Sequence, residues 1–128
     1  MDHKSLEELN NDLRVWFEEV LSIIKALGNE NRLQVLSLLL KNQQSFQSLM
    51  NFTNLKKTAL SNHLNKLIKN GLILRSDHGV YTITPDGILF LQTILNSYKQ
   101  SNHQKKQMRT INGLKMSNKF IQSFLKKK

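Results

Sequence analysis

The chain has 128 residues, which is enough for one folded domain with its own core but not for two. It contains no cysteine, so disulfide bonds, thiolate metal sites and cysteine nucleophiles are excluded. The net charge of +10 is uneven: residues 1–30 hold seven acidic and three basic side chains, whereas residues 31–128 hold 16 basic and two acidic. This distribution favours a polyanionic partner, with nucleic acid first, over a merely lysine-rich composition.

The chain lacks the signatures of membrane proteins and of enzymes. No apolar stretch reaches the ~18 residues of a membrane span, and the first five residues are too polar for a secretory signal. We therefore expect a cytoplasmic protein that associates with the nucleoid when bound to DNA. There is no nucleophile elbow, phosphate-binding loop, paired carboxylate cluster or metal motif, so we expect no enzymatic activity and no cofactor.

The first half of the chain predicts helices with few breaks. Ser5 has the position of an N-cap, with Glu8 reaching back in a capping box, and apolar residues at helical spacing extend this first helix to about Leu27. Gly28 ends it, and Asn29 can cap a second helix that is apolar on most sides and should lie in the core.

A shorter helix and a longer one follow. Ser45 can cap the short helix, and a turn around 53–57 leads to the long helix, which begins at Thr58 and ends at Asn70. Gly71 takes the position after the C-cap, where a positive φ is needed.

The hydrophobic period then changes from helix to strand. Residues 72–75 and 80–83 are β-rich runs around the tight turn 76–79, which together predict a two-stranded hairpin. Thr84 as N-cap and Pro85 at the first position open the last long helix.

This order of elements predicts a mainly α (α+β) winged helix-turn-helix with long first and last helices. We expect one such domain over residues 1–104 and a basic, amphipathic extension over residues 105–128. The cations of the extension favour contact with DNA phosphates. Its apolar residues, Phe120, Ile121, Phe124 and Leu125, favour packing on the domain over binding to an anionic membrane surface.

Three segments resemble the ArsR-type repressor family. Residues 24–33, IKALGNENRL, are similar to the family's opening signature, and residues 58–73, TALSNHLNKLIKNGLI, to its recognition helix running into the wing. Residues 81–87, YTITPDG, are similar to its junction between wing and last helix. The resemblance covers roughly residues 20–100. It implies a homodimer joined through the first and last helices, with the recognition helix in the major groove of DNA.

Helix geometry identifies candidate DNA contacts on the predicted recognition helix. Its leucines at 60, 64 and 67 fall within one arc, and a polar face lies opposite. Recognition helices place residues near their N-terminus on base edges and cations on phosphates. We expect base contacts from Thr58, Ser61 and Asn62, and phosphate contacts from Lys57, Lys66 and Lys69.

Two further DNA contacts are predicted with an alternative for each. His63 lies at the edge of the apolar arc, so it either packs with a hydrogen bond or reaches DNA. Arg75, just before the wing turn, either follows the DNA backbone and minor groove or pairs with Asp77.

The resemblance also bears on metal sensing and on assembly. The family's best-known metal site is a pair of thiolates on the short helix, and the matching positions here are Ser45 and Gln47. A second family site lies on the last helix, where this sequence offers only Asp86 and His103 as ligands, near opposite ends of the helix. We therefore expect no metal site; the sequence leaves open an unknown small-molecule or protein effector. The predicted dimer face comprises Leu13, Trp16, Phe17, Val20, Leu91, Leu95 and Tyr98.

These features favour a dimeric, sequence-specific regulator that binds double-stranded DNA and represses by occupying a promoter. The alternatives are an architectural protein that coats DNA with little sequence preference and a winged helix used for contact with another protein.

Overall fold

The computed structural model describes residues 5–113, which form seven helices and three strands. By its internal contacts the chain divides into two units, Met1–Ile88 and Leu89–Lys128. None of the helices among the described residues is both long and apolar enough to cross a membrane.

The first unit begins with two helices rather than the single predicted one. Helix α1 spans Leu6–Val15, and helix α2 spans Phe17–Leu27. The break falls at Trp16, whose φ of −106° and ψ of 21° lie outside the helical range. The prediction of a single helix was therefore wrong, although its predicted start after Ser5 and its predicted end at Leu27 are confirmed. The reason is local, because Val15, Trp16 and Phe17 are three successive residues with restricted χ1 and low helix propensity.

Side-chain caps fix where the next helices begin. Helix α3 spans Glu30–Lys41, and Asn29 Oδ1 accepts a hydrogen bond from Arg32 N at 3.1 Å. Helix α4 spans Phe46–Thr53, and Ser45 Oγ accepts from Ser48 N at 3.1 Å. Both predicted caps are confirmed.

Helix α3 is the central helix of the core, although only one of its faces is buried. Val35, Leu36 and Leu39 are buried, whereas Leu33 and Leu40 are about half exposed. The expectation that α3 is enclosed on most sides was therefore too broad. The remaining buried apolar side chains come from the other elements of this unit: Ala26, Leu27, Leu49, Leu60, Leu64, Leu67, Leu72, Ile73 and Tyr81.

Helix α5, the second helix of the helix-turn-helix, spans Lys57–Lys69 and so begins one residue before the predicted Thr58. The turn between α4 and α5 depends on Asn54, which adopts a left-handed conformation with φ of 59°. Asparagine tolerates that region better than most residues because its side chain can hydrogen-bond locally. This turn sets the direction in which α5 leaves α4.

The sheet has three antiparallel strands, not the two that were predicted. Strands β2 (Ile73–Arg75) and β3 (Val80–Ile83) form the expected hairpin, with Ile73 opposite Ile83. Strand β1 (Gln44–Ser45) pairs with the other edge of β3, which gives the order β1-β3-β2. A two-residue polar strand has no alternation of its own to reveal it, so only its pairing with β3 defines it.

Helix α6 spans Pro85–Gln100 and helix α7 spans Asn102–Gly113. Thr84 Oγ1 accepts from Gly87 N at 3.0 Å, which confirms the predicted cap of α6. The last helix was expected to continue to about residue 104, but it ends before Ser101, which caps α7 instead. The apolar segment at 116–125 lies outside the described residues.

Candidate nucleic-acid interface

Helix α5 presents a polar face to solvent because its opposite face is anchored in the core. Leu60, Leu64 and Leu67 are buried. Thr58, Asn62, Asn65, Lys66 and Lys69 are exposed, and Ser61 is half-buried. The structure thus brings the predicted base and phosphate candidates onto one surface, which they share with Asn65.

The N-terminus of α5 carries two adjacent cations. Its N-cap is Lys56, whose side chain makes no capping hydrogen bond, and Lys57 follows it. Both lysines are exposed. Sequence reasoning selected Lys57 but missed Lys56, because the start of the helix was placed one residue too late. The backbone N–H groups of this first turn add to the positive potential of the two lysines.

The C-terminus of α5 ends in a tightly bonded turn. Gly71, with φ of 70°, donates to Ile68 O at 2.9 Å, and Leu72 N donates to Leu67 O at 3.0 Å. These two bonds form a Schellman motif, and the positive φ predicted for Gly71 after the C-cap is confirmed. Asn70 Oδ1 also accepts from Ser22 Oγ at 2.6 Å, which ties this end of α5 to α2.

His63 is half-buried and forms a hydrogen bond with an arginine from another helix. Arg32 Nη1 lies 3.0 Å from His63 Nδ1. Burial lowers the pKa of His63, and the charges of Arg32 and Lys66 lower it further. Because arginine only donates, Nδ1 must accept and the proton of the neutral ring sits on Nε2. The packed alternative for His63 is thus present in the structure, and only Nε2–H remains for a DNA contact.

Arg32 joins three helices and was not singled out from the sequence. It lies on α3, and its Nε donates to Ala26 O at 2.7 Å and its Nη2 to Lys25 O at 2.8 Å, both near the end of α2. Its third bond reaches His63 on α5. No local signal could reveal this role, because all three acceptors depend on how the helices pack.

Lowering the pH should destabilise the fold through His63. The folded pKa lies below the ordinary 6.5, so the contribution of neutral His63 is complete above that pH. As the pH falls below it, the unfolded chain takes up the proton more readily and the free energy of unfolding decreases. Urea unfolding of wild type and His63→Gln, at several pH values between about 8 and 5.5, measures this. Identical pH profiles for the two proteins would contradict the assignment.

The wing presents an exposed cation, Arg75. Arg75 is exposed at the end of β2, and no ion pair joins it to Asp77, although both lie among the described residues. The structure thus shows no pairing of Arg75 with Asp77, and the contact of Arg75 with DNA stays a prediction. The turn is held by Ser76, whose Oγ accepts from His78 N and Val80 N, each at 3.3 Å, and by Gly79 with φ of 75°.

Comparison with known proteins matches this chain to a family of regulatory proteins. The sequence matches the family described as bacterial regulatory protein, arsR family, over residues 29–74, from the cap of α3 into β2. The transcriptional activator HlyU of Vibrio cholerae is 43% identical over 51 residues, which cover 40% of this chain and about half, 47%, of the activator. The solved structure of HlyU from Vibrio cholerae is 31% identical with a TM-score of 0.53, and the match covers 65% of this chain and 95% of that one. The chain belongs to the arsR family of bacterial regulatory proteins.

Two further structures confirm the predicted winged helix-turn-helix fold. NolR from Sinorhizobium fredii is 27% identical with a TM-score of 0.55, and the match covers 76% of this chain and 95% of NolR. A homodimeric winged helix-turn-helix DNA-binding domain from Mycobacterium bovis is 24% identical with a TM-score of 0.60, and the match covers 80% and 95% of the two chains. The second match is evidence for the fold alone.

In this arsR-family chain, the two positions that match the family's thiolate pair, Ser45 and Gln47, both form hydrogen bonds within the protein. Ser45 caps α4, and Gln47 Nε2 donates to Asn51 Oδ1 at 3.0 Å. Among residues 5–113, no three His, Asp or Glu side chains come together in a group that could hold a metal ion.

The residues predicted for dimerisation are mostly exposed. On α1 and α2, Leu13 is exposed, as are Trp16 (58%) and Phe17 (48%), whereas Val20 is half-buried. On α6, Leu95 and Tyr98 are about half exposed, and Leu91 is half-buried. The structure adds further exposed apolar residues that the sequence analysis did not select: Leu9, Val15, Ile24, Leu89 and Ile94.

Proposed function

We propose that this chain is a dimeric, sequence-specific transcription regulator that binds double-stranded DNA and represses by occupying its promoter. The observation that carries the proposal is the exposed face of α5, where short hydrogen-bonding side chains are flanked by lysines and the leucines behind them are buried. Such a face on the second helix of a helix-turn-helix fits the major groove. Membership of the arsR family supports the same function, and the site of action is then the cytoplasm.

The proposal assigns two kinds of contact to α5 and the wing. Thr58, Ser61 and Asn62 read base edges, because hydroxyl and amide groups hydrogen-bond there and asparagine pairs bidentately with adenine. The exposed cations Lys57, Lys66, Lys69 and Arg75 bind phosphates, and Lys56 joins them at the helix N-terminus. His63 acts mainly through its bond to Arg32, so its Nε2–H is a secondary donor.

Dimerisation would bury apolar surface that is exposed in each unit. Trp16 and Phe17 are large aromatic residues, and leaving both half exposed in a monomer forgoes a substantial hydrophobic gain. A second copy that covers these faces of α1, α2 and α6 supplies the missing partner through a two-fold interface. The domain from Mycobacterium bovis that shares this fold is itself described as homodimeric. Two recognition helices related by that axis require a palindromic site.

Replacing Asn62 by alanine should reduce sequence selectivity, whereas replacing Lys66 by alanine should reduce affinity on all sequences. Asn62→Ala is expected to cost about 1–3 kcal/mol on the selected site and little on random DNA. Lys66→Ala should lower the salt-dependence slope by about one unit for each bound chain on both kinds of DNA. Selection from random and genomic fragments, followed by titrations across a salt series, measures both effects and the number of chains bound per site.

The matched control is Asn11→Ala, which makes the same change on an exposed position of α1. It should leave selectivity unchanged. If wild type binds all fragments alike and Asn62→Ala has no effect, the architectural alternative, supported by the +14 charge excess of residues 31–128, replaces the regulator. If wild type binds no DNA at moderate salt, the helix-turn-helix serves contact with a protein. Transcription from a promoter that contains the selected site distinguishes a repressor from an activator such as HlyU.

A further inference from the structure

We propose that helix α7 is a second DNA-binding element, which holds phosphates outside the site read by α5. The inference rests on the proposed DNA-binding function and adds a second DNA-binding surface to the recognition face of α5. Helix α7 contributes affinity that does not depend on sequence, while α5 contributes selectivity.

The first observation is the charge of the second unit. Residues 89–128 contain nine lysines and arginines and not one aspartate or glutamate. A surface helix normally mixes both signs, because opposite charges three or four residues apart stabilise it. Helix α7 forgoes that stabilisation, and the repulsion among its cations is relieved when an anion binds.

The second observation is the arrangement of the cations on α7. Lys105, Lys106 and Arg109 are all exposed. At 100° per residue they fall within an arc of about 100°, so one face of the helix carries all three. No aspartate or glutamate lies on α7 beside these three cations. A continuous cationic face of this kind matches a row of phosphates better than a single compact anion.

The third observation is that specific contacts fix the start of helix α7. Ser101 Oγ accepts from Gln104 N at 3.1 Å and donates to Tyr98 O at 2.6 Å. The rings of Tyr98 and His103 meet edge to face across the same bend, with centroids 6.4 Å apart. These contacts within the second unit fix the direction in which α7 leaves α6, so its cations are presented in a set orientation.

DNA fits this helix better than a lipid surface does. A helix that lies on a membrane needs a broad apolar face opposite its cations. The sequence of α7, residues 102–113, has only two large apolar residues, Met108 and Ile111, which are too few for such a face. The proposed function also brings a polyanion to the same molecule, because a duplex bound by α5 offers phosphates on both sides of the site.

The test compares two doubly substituted proteins that lose the same charge. Lys105→Gln with Arg109→Gln neutralises the face of α7. Arg14→Gln with Lys41→Gln removes two exposed cations from α1 and α3. Binding of full-length protein is titrated across a salt series, with a duplex limited to the selected site and a duplex extended by about one helical turn on each side.

We expect the α7 variant to lower the slope of log affinity against log salt by about 1–2 for each bound chain. Selectivity between the selected and random sites should stay the same. Extending the duplex should raise the affinity of wild type and of the control variant, but not that of the α7 variant. Thermal unfolding of all the proteins checks that the fold is intact.

The inference is overturned if the α7 variant keeps the wild-type slope, or if the control variant lowers the slope as much. It is also overturned if the α7 variant binds DNA normally but loses binding to vesicles of phosphatidylglycerol and phosphatidylethanolamine, which would assign α7 to a membrane. Failure of the proposed function is a different result, because wild type itself would then bind every duplex alike or bind none.

Discussion

Replacing Gly87 by alanine should lower the free energy of unfolding by about 2–3 kcal/mol, although alanine is the better helix former. Gly87 lies in the first turn of α6, where its backbone touches the chain that leaves α5. A Cβ at this position would overlap the carbonyl oxygen of Leu72 and come within 2.8 Å of Ile83 Cγ1. Leu72 O also accepts from Thr84 N at 3.0 Å, so it cannot withdraw without losing that bond.

Gly71→Ala is the matched control for this prediction. Gly71 has φ of 70° but nothing within 4 Å of an added Cβ, so alanine there meets only backbone strain, of about 1 kcal/mol. Thermal and urea unfolding of both variants should rank Gly87→Ala as the less stable, with a melting temperature lower than wild type by about 10 °C. Equal stability of Gly87→Ala and wild type would show that the contact between α6 and Leu72 is looser than described.

The junction around Gly87 matters because it places the wing behind the recognition helix. Thr84, only 8% exposed, donates from Oγ1 to Gly71 O at 2.6 Å and accepts from Gly87 N. One threonine therefore links the end of α5, the end of β3 and the start of α6. The sequence predicted the cap at Thr84 because capping is local, but the bond to Gly71 joins residues 13 apart and could not be anticipated.

The same distinction separates the correct predictions from the wrong ones. Ser5, Asn29 and Ser45 were recognised as caps because each bonds a backbone N–H three residues ahead. Strand β1 was missed because two polar residues form a strand only when β3 is beside them. The break at Trp16 was missed because the apolar spacing continues across it, and spacing alone does not detect a local loss of helical backbone.

The candidate site follows the same rule. The exposed face of α5 could be predicted because burying leucines at helical spacing determines which side chains point outward. The pair formed by Arg32 and His63 could not, because the two residues come from different helices and meet only after α3 and α5 pack. The bond to Arg32 gives His63 a structural contact between α3 and α5, whereas its contact with DNA stays a prediction.

Replacing Arg32 by methionine should lower the free energy of unfolding by about 2–3 kcal/mol and also weaken DNA binding. Three hydrogen bonds of 2.7–3.0 Å are lost, each worth about 1 kcal/mol, and two carbonyls at the end of α2 lose their charged donor. Arg32→Lys separates charge from geometry, because lysine keeps the charge but has no planar fork to reach three acceptors. We therefore expect Arg32→Lys to lose most of the same stability, as measured by urea unfolding.

The effect on DNA binding tests whether Arg32 positions α5 rather than merely stabilising the domain. Arg32 ties the middle of α5 to α2, so its loss should let the recognition helix shift while the leucines behind it keep the helix folded. At a temperature where both variants remain folded, Arg32→Met should then lose affinity for the selected site, whereas Leu39→Ala, destabilised by loss of a buried side chain on the same helix, should retain it. Equal affinity of both variants would make Arg32 a stabilising residue only. A selective loss for Arg32→Met would mean that α2, part of the proposed dimer face, also sets the position of the helix that reads DNA.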